Sequence, residues 1–304
     1  MWTIAIILLV IALAIVGMNY FRWPLFNAAI RAQRAKAALT EKVARVDGHD
    51  VVYIDGGNGE SLILIHGFGA NKDNWTQIAP MLAPHFRLII LDLPGFGEST
   101  RDRAALYDAD IQVARLKSFI DELDLGPVHL GGNSMGGYLA GLYAARHPTD
   151  VKSQWLLAPA GVAGAEPSEY FRYLERGENP LLIDNMADFK RLMDMCFSKR
   201  PYLPRAFLRC LCERNMQERE FNEKIFGEIF AEPRALETVL AGVDTKTQIL
   251  WGEHDKILHP SGAGLLAKAI NGAQSSIMKQ MGHCPMLERP RETADLYLKF
   301  QGVI

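Results

Sequence analysis

Gly132-Asn133-Ser134-Met135-Gly136 is the stretch of this 304-residue chain best suited to do chemistry. An apolar, strand-like segment (126–131) precedes it, and a helix-like segment rich in small residues (137–146) follows. A serine between glycines at a strand-to-helix junction has the form of a nucleophile elbow. The turn is so tight that the serine backbone is strained and a side chain at either glycine would collide with its neighbours. That geometry lifts the Ser134 hydroxyl clear of the fold, at the positive end of a helix.

A serine hydroxyl attacks poorly until a base takes its proton, and the base must itself be oriented by an acid. In an elbow architecture the acid and then the histidine follow the serine along the chain. Of the eight histidines, His147, His254, His259 and His283 come after Ser134. His147 falls in the elbow helix, His254 precedes the acid, and His259 is four residues beyond it in the same loop. His283, in Gly282-His283-Cys284-Pro285 just past the last strand, is the expected base. The turn after the strand ending at Trp251 reads Gly252-Glu253-His254-Asp255 and supplies Asp255 as the expected acid, with Glu253 as the alternative. The loop after the preceding strand, Ala158-Pro159-Ala160-Gly161, offers no carboxylate.

A tetrahedral intermediate also needs backbone N–H donors for its oxyanion. Met135, directly after the nucleophile, is expected to supply one. Phe68, in His66-Gly67-Phe68-Gly69-Ala70, is expected to supply the other, because the glycines let the backbone approach a substrate. His66 reads as a residue bonding within that loop. Asp92, in Asp92-Leu93-Pro94-Gly95-Phe96-Gly97, reads as a brace for its own loop and not as a metal ligand, since no companion ligands are near. No metal and no cofactor are implied.

These residues need a scaffold. Apolar, strand-length segments bounded by turn residues occur at 42–46, 51–55, 62–65, 87–91, 128–130, 152–157, 248–251 and 276–279. Helical patterns occur near 75–83, 110–123, 135–146, 262–270 and 291–300. The first two strands form a hairpin through Asp47-Gly48-His49. Alternation of strand and helix thereafter predicts an α/β fold with a mostly parallel eight-stranded sheet covered on both faces. Between Pro159 and Asp244 there is no strand signal, only helical pieces separated by prolines. This stretch (159–244) reads as an inserted helical cap, splitting the core into 43–158 and 245–304. It carries seven of the fourteen Phe, and part of that apolar surface is expected to line a pocket or face a membrane.

A net charge of -2 gives no sign of nucleic-acid binding. The four cysteines show neither disulfide-framework nor zinc spacing and read as reduced thiols. Residues 1–18 contain no charge, and Asn19-Tyr20-Phe21-Arg22-Trp23 follows them like an interface belt, so residues 1–20 are expected to be an N-terminal transmembrane anchor. No Lys or Arg precedes the apolar run, as a cleaved signal peptide would have. Arg22, Arg31, Arg34 and Lys36 all follow it, which by the positive-inside rule points to a catalytic domain on the cytoplasmic side. Residues 21–42 read as a short basic helix or linker with Leu25, Phe26, Ile30 and Leu39 on its apolar side, suited to lying on a membrane surface.

Together the His66-Gly67-Phe68-Gly69, Asp92 to Gly97, Gly132 to Gly137, Gly252 to Asp255 and Gly282-His283 motifs resemble the α/β-hydrolase superfamily, from about residue 43 to the C-terminus. The serine in the elbow argues against the family's epoxide hydrolases and haloalkane dehalogenases, which use a carboxylate. The anchor, Asn179-Pro180-Leu181-Leu182 and the segment 199–204 look like the membrane-anchored monoacylglycerol lipases and related bacterial lipases. The resemblance implies a serine lipase or esterase acting on acylglycerol-type esters, with lipid and bilayer as partners. Alternatives are a carbon–carbon bond hydrolase of ring-cleavage products, whose Gly-Pro-Gly oxyanion loop this chain lacks, and a silent membrane-tethered binding module. Acyl preference and oligomeric state are left open by the sequence.

Overall fold

The computed structural model describes Gly17 and residues 20–304. Eight strands form one sheet: β1 (Thr40–Val46), β2 (His49–Gly57), β3 (Glu60–Ile65), β4 (Phe86–Leu91), β5 (Val128–Asn133), β6 (Val151–Leu157), β7 (Lys246–Gly252) and β8 (Gln274–Met278). Their spatial order is β1-β2-β4-β3-β5-β6-β7-β8. The β1–β2 hairpin and the β2–β4 pair are antiparallel, and every other pair is parallel. The sequence-expected eight-stranded, mostly parallel sheet is therefore the observed one.

The described helices are α1 (Arg22–Ala35), α2 (Ala79–Leu82), α3 (Ala109–Glu122), α4 (Met135–Arg146), α5 (Glu169–Leu174), α6 (Met186–Cys196), α7 (Arg205–Ile229), α8 (Leu236–Val239), α9 (Ser261–Ala269), α10 (Pro285–Glu288) and α11 (Pro290–Gln301). Alternate residues of the buried strands serve opposite faces, as strand periodicity requires. Ile63 and Ile65 pack with α3, α4 and α9 residues such as Phe119, Leu139 and Leu266. Leu62 and Leu64 pack on the other face with Trp75, Trp155 and Tyr297. Trp155 and Tyr297 stack with ring centroids 4.2 Å apart.

The chain leaves β3 to form β4 on one side and β5 on the other, so the sheet reverses its winding between β3 and β5. Such a switch point opens a crevice at the carboxyl ends of the strands. The glycine loop after β3 and the elbow after β5 both lie there.

Three local expectations need correction. The basic helix expected within 21–42 runs from Arg22 and ends at Ala35, and by Thr40 the chain is already in β1. Its apolar residues do not share one exposed side: Phe26 is buried against Phe207 of α7 at 5.5 Å between centroids, Leu39 joins the core beyond the helix, and Leu25 is exposed. The helix expected over 75–83 is a 3₁₀ turn (Lys72–Trp75) followed by the single turn α2, because Pro80 can occupy only a first helical turn. The apolar run read as an anchor lies outside the described residues, apart from Gly17 and Tyr20. Among the described residues no helix is long and apolar enough to cross a membrane.

Candidate active site

Ser134 stands at the β5–α4 junction with φ 56° and ψ -119°. Its N–H donates to the Leu157 carbonyl at 3.0 Å, and its own carbonyl accepts from Tyr138 and Ala160 at 3.0 Å each. A Cβ at Gly132 would lie 2.3 Å from the Gly136 carbonyl, and one at Gly136 would lie 2.3 Å from the Ile65 oxygen. Both positions of the motif therefore need glycine for close backbone approach.

His283 sits in the loop between β8 and α10, with Nδ1 2.7 Å from Asp255 Oδ2. The other Asp255 oxygen accepts the Ile257 and Leu258 N–H groups at 2.8 and 2.9 Å, which fixes the carboxylate in its turn. With a carboxylate facing Nδ1, the ring proton belongs there and Nε2 keeps its lone pair. Burial disfavours the imidazolium, but the charge and hydrogen bond of Asp255 outweigh it and hold His283 above the usual imidazole range.

The loop after β3 runs beside the serine: a Cβ at Gly67 would lie 3.4 Å from Ser134 Cβ. Among the described residues the Phe68 N–H has no acceptor. Met135 opens α4, so its N–H is one of the unpaired donors of a first helical turn. The Phe68 ring is held edge-on by Phe96 and by Phe226 of α7, at 5.7 and 5.4 Å.

Ser134, His283 and the 67–70 loop line one cavity of about 410 Å³, within the usual range for small-molecule sites. Phe189 and Leu192 of α6 and Phe207 and Leu211 of α7 give it an apolar wall, and Phe26 and Ile30 bring α1 to its rim. The other histidines lie elsewhere. His254 pairs with Ser198 Oγ and His259 with Ser261 Oγ, both at 2.9 Å, while His147 ends α4. Glu253 turns outward to Lys279 at 2.8 Å. His66 bonds within its loop, Nδ1 to the Gly67 carbonyl at 2.7 Å, and burial lowers its pKa. Asp92 accepts from the Lys72 and Glu98 N–H groups at 2.6 and 2.8 Å and from Lys72 Nζ at 2.8 Å. Burial opposes the Lys72 charge, yet the neighbouring carboxylates hold the ammonium above its usual range. Among the described residues no cluster of three or more His, Cys, Asp or Glu could hold a metal ion.

Two features had no signal in the sequence. Asn133, the variable residue of the elbow motif, donates through Nδ2 to Leu157 O at 3.1 Å and to His283 O at 3.0 Å, tying the histidine loop to the elbow. Cys196 and Cys284, 88 positions apart, both line the cavity, and the His283 N–H donates to Cys196 O at 2.7 Å. Hydrogen bonding to Cys196, together with burial, holds the Cys284 thiol well above its ordinary range.

This sheet, elbow and histidine loop define a class, and comparison with known proteins agrees. A family model described as the alpha/beta hydrolase fold matches residues 60–290, and the chain belongs to that family. Lipase 1 of Psychrobacter immobilis is 38% identical over 282 residues, spanning 90% of this chain and 88% of its own. The monoacylglycerol lipase ABHD6 of Homo sapiens is 33% identical over 255 residues, spanning 80% and 76%. The crystal structure of a membrane phospholipase A, described as a bacterial virulence factor, superposes with a TM-score of 0.91 at 39% identity, covering 100% of this chain and 99% of that one. The chain is an enzyme of the carboxylic ester hydrolase class.

Proposed function

We propose that the protein is a membrane-anchored serine lipase that hydrolyses acylglycerol-type esters, monoacylglycerols in particular, through an acyl-enzyme on Ser134. The observation that carries this reading is one cavity that joins Ser134 and the Asp255-held His283 to an apolar wall able to take an acyl chain. The lipase names of the relatives and of the phospholipase neighbour support the same substrate class.

In this mechanism Ser134 Oγ attacks the ester carbonyl carbon while His283 Nε2 takes its proton. The Phe68 and Met135 N–H groups donate to the oxyanion. Collapse of the intermediate breaks the ester C–O bond, and the leaving alkoxide takes the proton from His283. A water, deprotonated by the same nitrogen, then attacks the acyl-enzyme, and the fatty acid departs as Ser134 regains its proton. Asp255 keeps the ring in one tautomer and stabilises the imidazolium. Residues 159–244 act as a cap over core segments 43–158 and 245–304, and residues 1–20 hold the domain at the bilayer. Confinement there raises the local concentration of a substrate dissolved in the same membrane.

The test is hydrolysis of monoacylglycerols of graded chain length by the detergent-solubilised protein, with Ser134→Ala beside it. Turnover should fall by on the order of 10⁴-fold or more in the variant. Each methylene that enters the apolar wall contributes about 0.8 kcal/mol, so kcat/KM should rise about fourfold per added carbon until the wall is filled. Activity confined to a short p-nitrophenyl ester would keep the serine chemistry and overturn the lipid assignment.

A further inference from the structure

One face of α7 changes character along its length. Phe207, Leu211, Asn215, Glu218 and Asn222 follow one another at spacings of three or four and so share a side. The first four line the cavity. At about 1.5 Å per residue, the wall passes from apolar to polar over roughly 16 Å between Phe207 and Glu218.

The polar end meets the loop beside Ser134. A Cβ at Gly69 would lie 3.8 Å from Asn215 Oδ1 and 4.0 Å from Asn222 Nδ2. Asn222 is only 3% exposed, yet its amide has no hydrogen-bond partner among the described residues. Asn215 Nδ2 is used internally, donating to Leu211 O at 2.9 Å, which leaves its oxygen for another donor. The side-chain amides of Asn74 and Gln77 line the same cavity, also without partners among the described residues. Amides that no protein group satisfies are met by water or by a bound molecule.

We infer that this end of the cavity is a subsite for the leaving alcohol, built to hydrogen-bond the vicinal hydroxyls of a neutral glyceryl group. This rests on the lipid-ester reading above. Carboxamides both donate and accept, as a hydroxyl does, so a diol can satisfy several of them at once. Glu218 and Asp73 also line the cavity but are already paired with arginines, so the amides beside Gly69 are the polar groups left for a ligand there. Glu218 is held by Arg101 at 2.6 Å and Asp73 by Arg34 at 2.7 Å. Arg214, which also lines the cavity, lies over the Trp23 and Phe26 rings, 5.9 and 5.5 Å from their centroids.

The test compares the full-length enzyme with Asn215→Leu and Asn222→Leu on three esters of one acyl chain: decanoylglycerol, ethyl decanoate and decanoyl lysophosphatidylcholine. The ratio of kcat/KM for the glyceryl ester to that for the ethyl ester should fall about threefold to tenfold per substitution. The dependence on acyl length should stay as in the wild type. Equal losses on the glyceryl and ethyl esters would reduce the two amides to a structural role, and an unmoved ratio would likewise overturn the subsite. A ratio that falls only for the lysophospholipid would assign the site to a phosphate headgroup instead. A wild type that cleaves none of the lipids but hydrolyses a p-nitrophenyl ester would overturn the lipid reading itself, an outcome distinct from an unmoved ratio.

Discussion

His283 gains its properties from two neighbours of different kinds. Asp255 acts through charge and tautomer, and Asn133 acts through position. Removing the charge with Asp255→Asn leaves burial unopposed, so the His283 pKa should drop. A base works only when neutral, so the acid limb of kcat/KM in the wild type should lie above the ordinary imidazole value of about 6.5. In the variant that limb should move to lower pH, with a plateau lower by on the order of 10⁴-fold. A pH–rate profile reads both. The sign for stability is opposite to that for activity. The folded state favours the protonated ring, so this contribution is full below about pH 6.5 and is lost as pH rises through the elevated value. Asn133→Leu keeps the branched side-chain shape but removes both bonds to Leu157 and His283. It should lower kcat by about tenfold to a hundredfold with KM little changed, since the amide aligns the histidine loop and not the ester. An unchanged kcat would show that the loop is held without it.

At the scale of elements, α1 is pinned to the core by charge. Arg34 forks onto Asp73 at 2.7 and 2.8 Å and reaches Glu41 at 2.5 Å, next to the buried Lys72–Asp92 pair. The same helix brings Phe26 and Ile30 to the cavity rim. Arg34→Met keeps the apolar stem and strands Asp73, which is largely buried. The expected cost is about 1.5–3 kcal/mol, read as a fall in Tm of several degrees. Hydrolysis of long acyl esters should suffer more than that of short ones, because only a long chain reaches α1. A variant with unchanged Tm and chain-length profile would show that α1 docks through its apolar contacts alone. This arrangement was not legible in the sequence. Arg34 and Lys36 read as surface charge because a basic run beside an apolar one carries no information on which carboxylates the fold will bring to it.

For the whole molecule, the proposal puts enzyme and substrate in one membrane, and that can be tested directly. The full-length protein should remain with the membrane fraction through high-salt and alkaline washes and be released by detergent. Release by salt alone would assign the attachment to the basic residues that follow the apolar run.

What the sequence determined by itself is what depends on near neighbours. Glycines at 132 and 136, small residues after Ser134 and alternating apolar strands each reflect a local steric or periodic demand. Elbow, sheet and strand count therefore follow from short windows. The turn Gly252 to Asp255 offers two carboxylates, and it is the packing that sets Asp255 against His283 Nδ1 at 2.7 Å and turns Glu253 out to Lys279. Tertiary structure alone decided the rest. Asn133 meets the His283 carbonyl from 150 positions away, Cys196 meets Cys284, and a polar stripe on α7 faces the loop at Gly69. Such contacts depend on how two surfaces dock. Docking is set by the packing of the entire core, which no short window of sequence encodes.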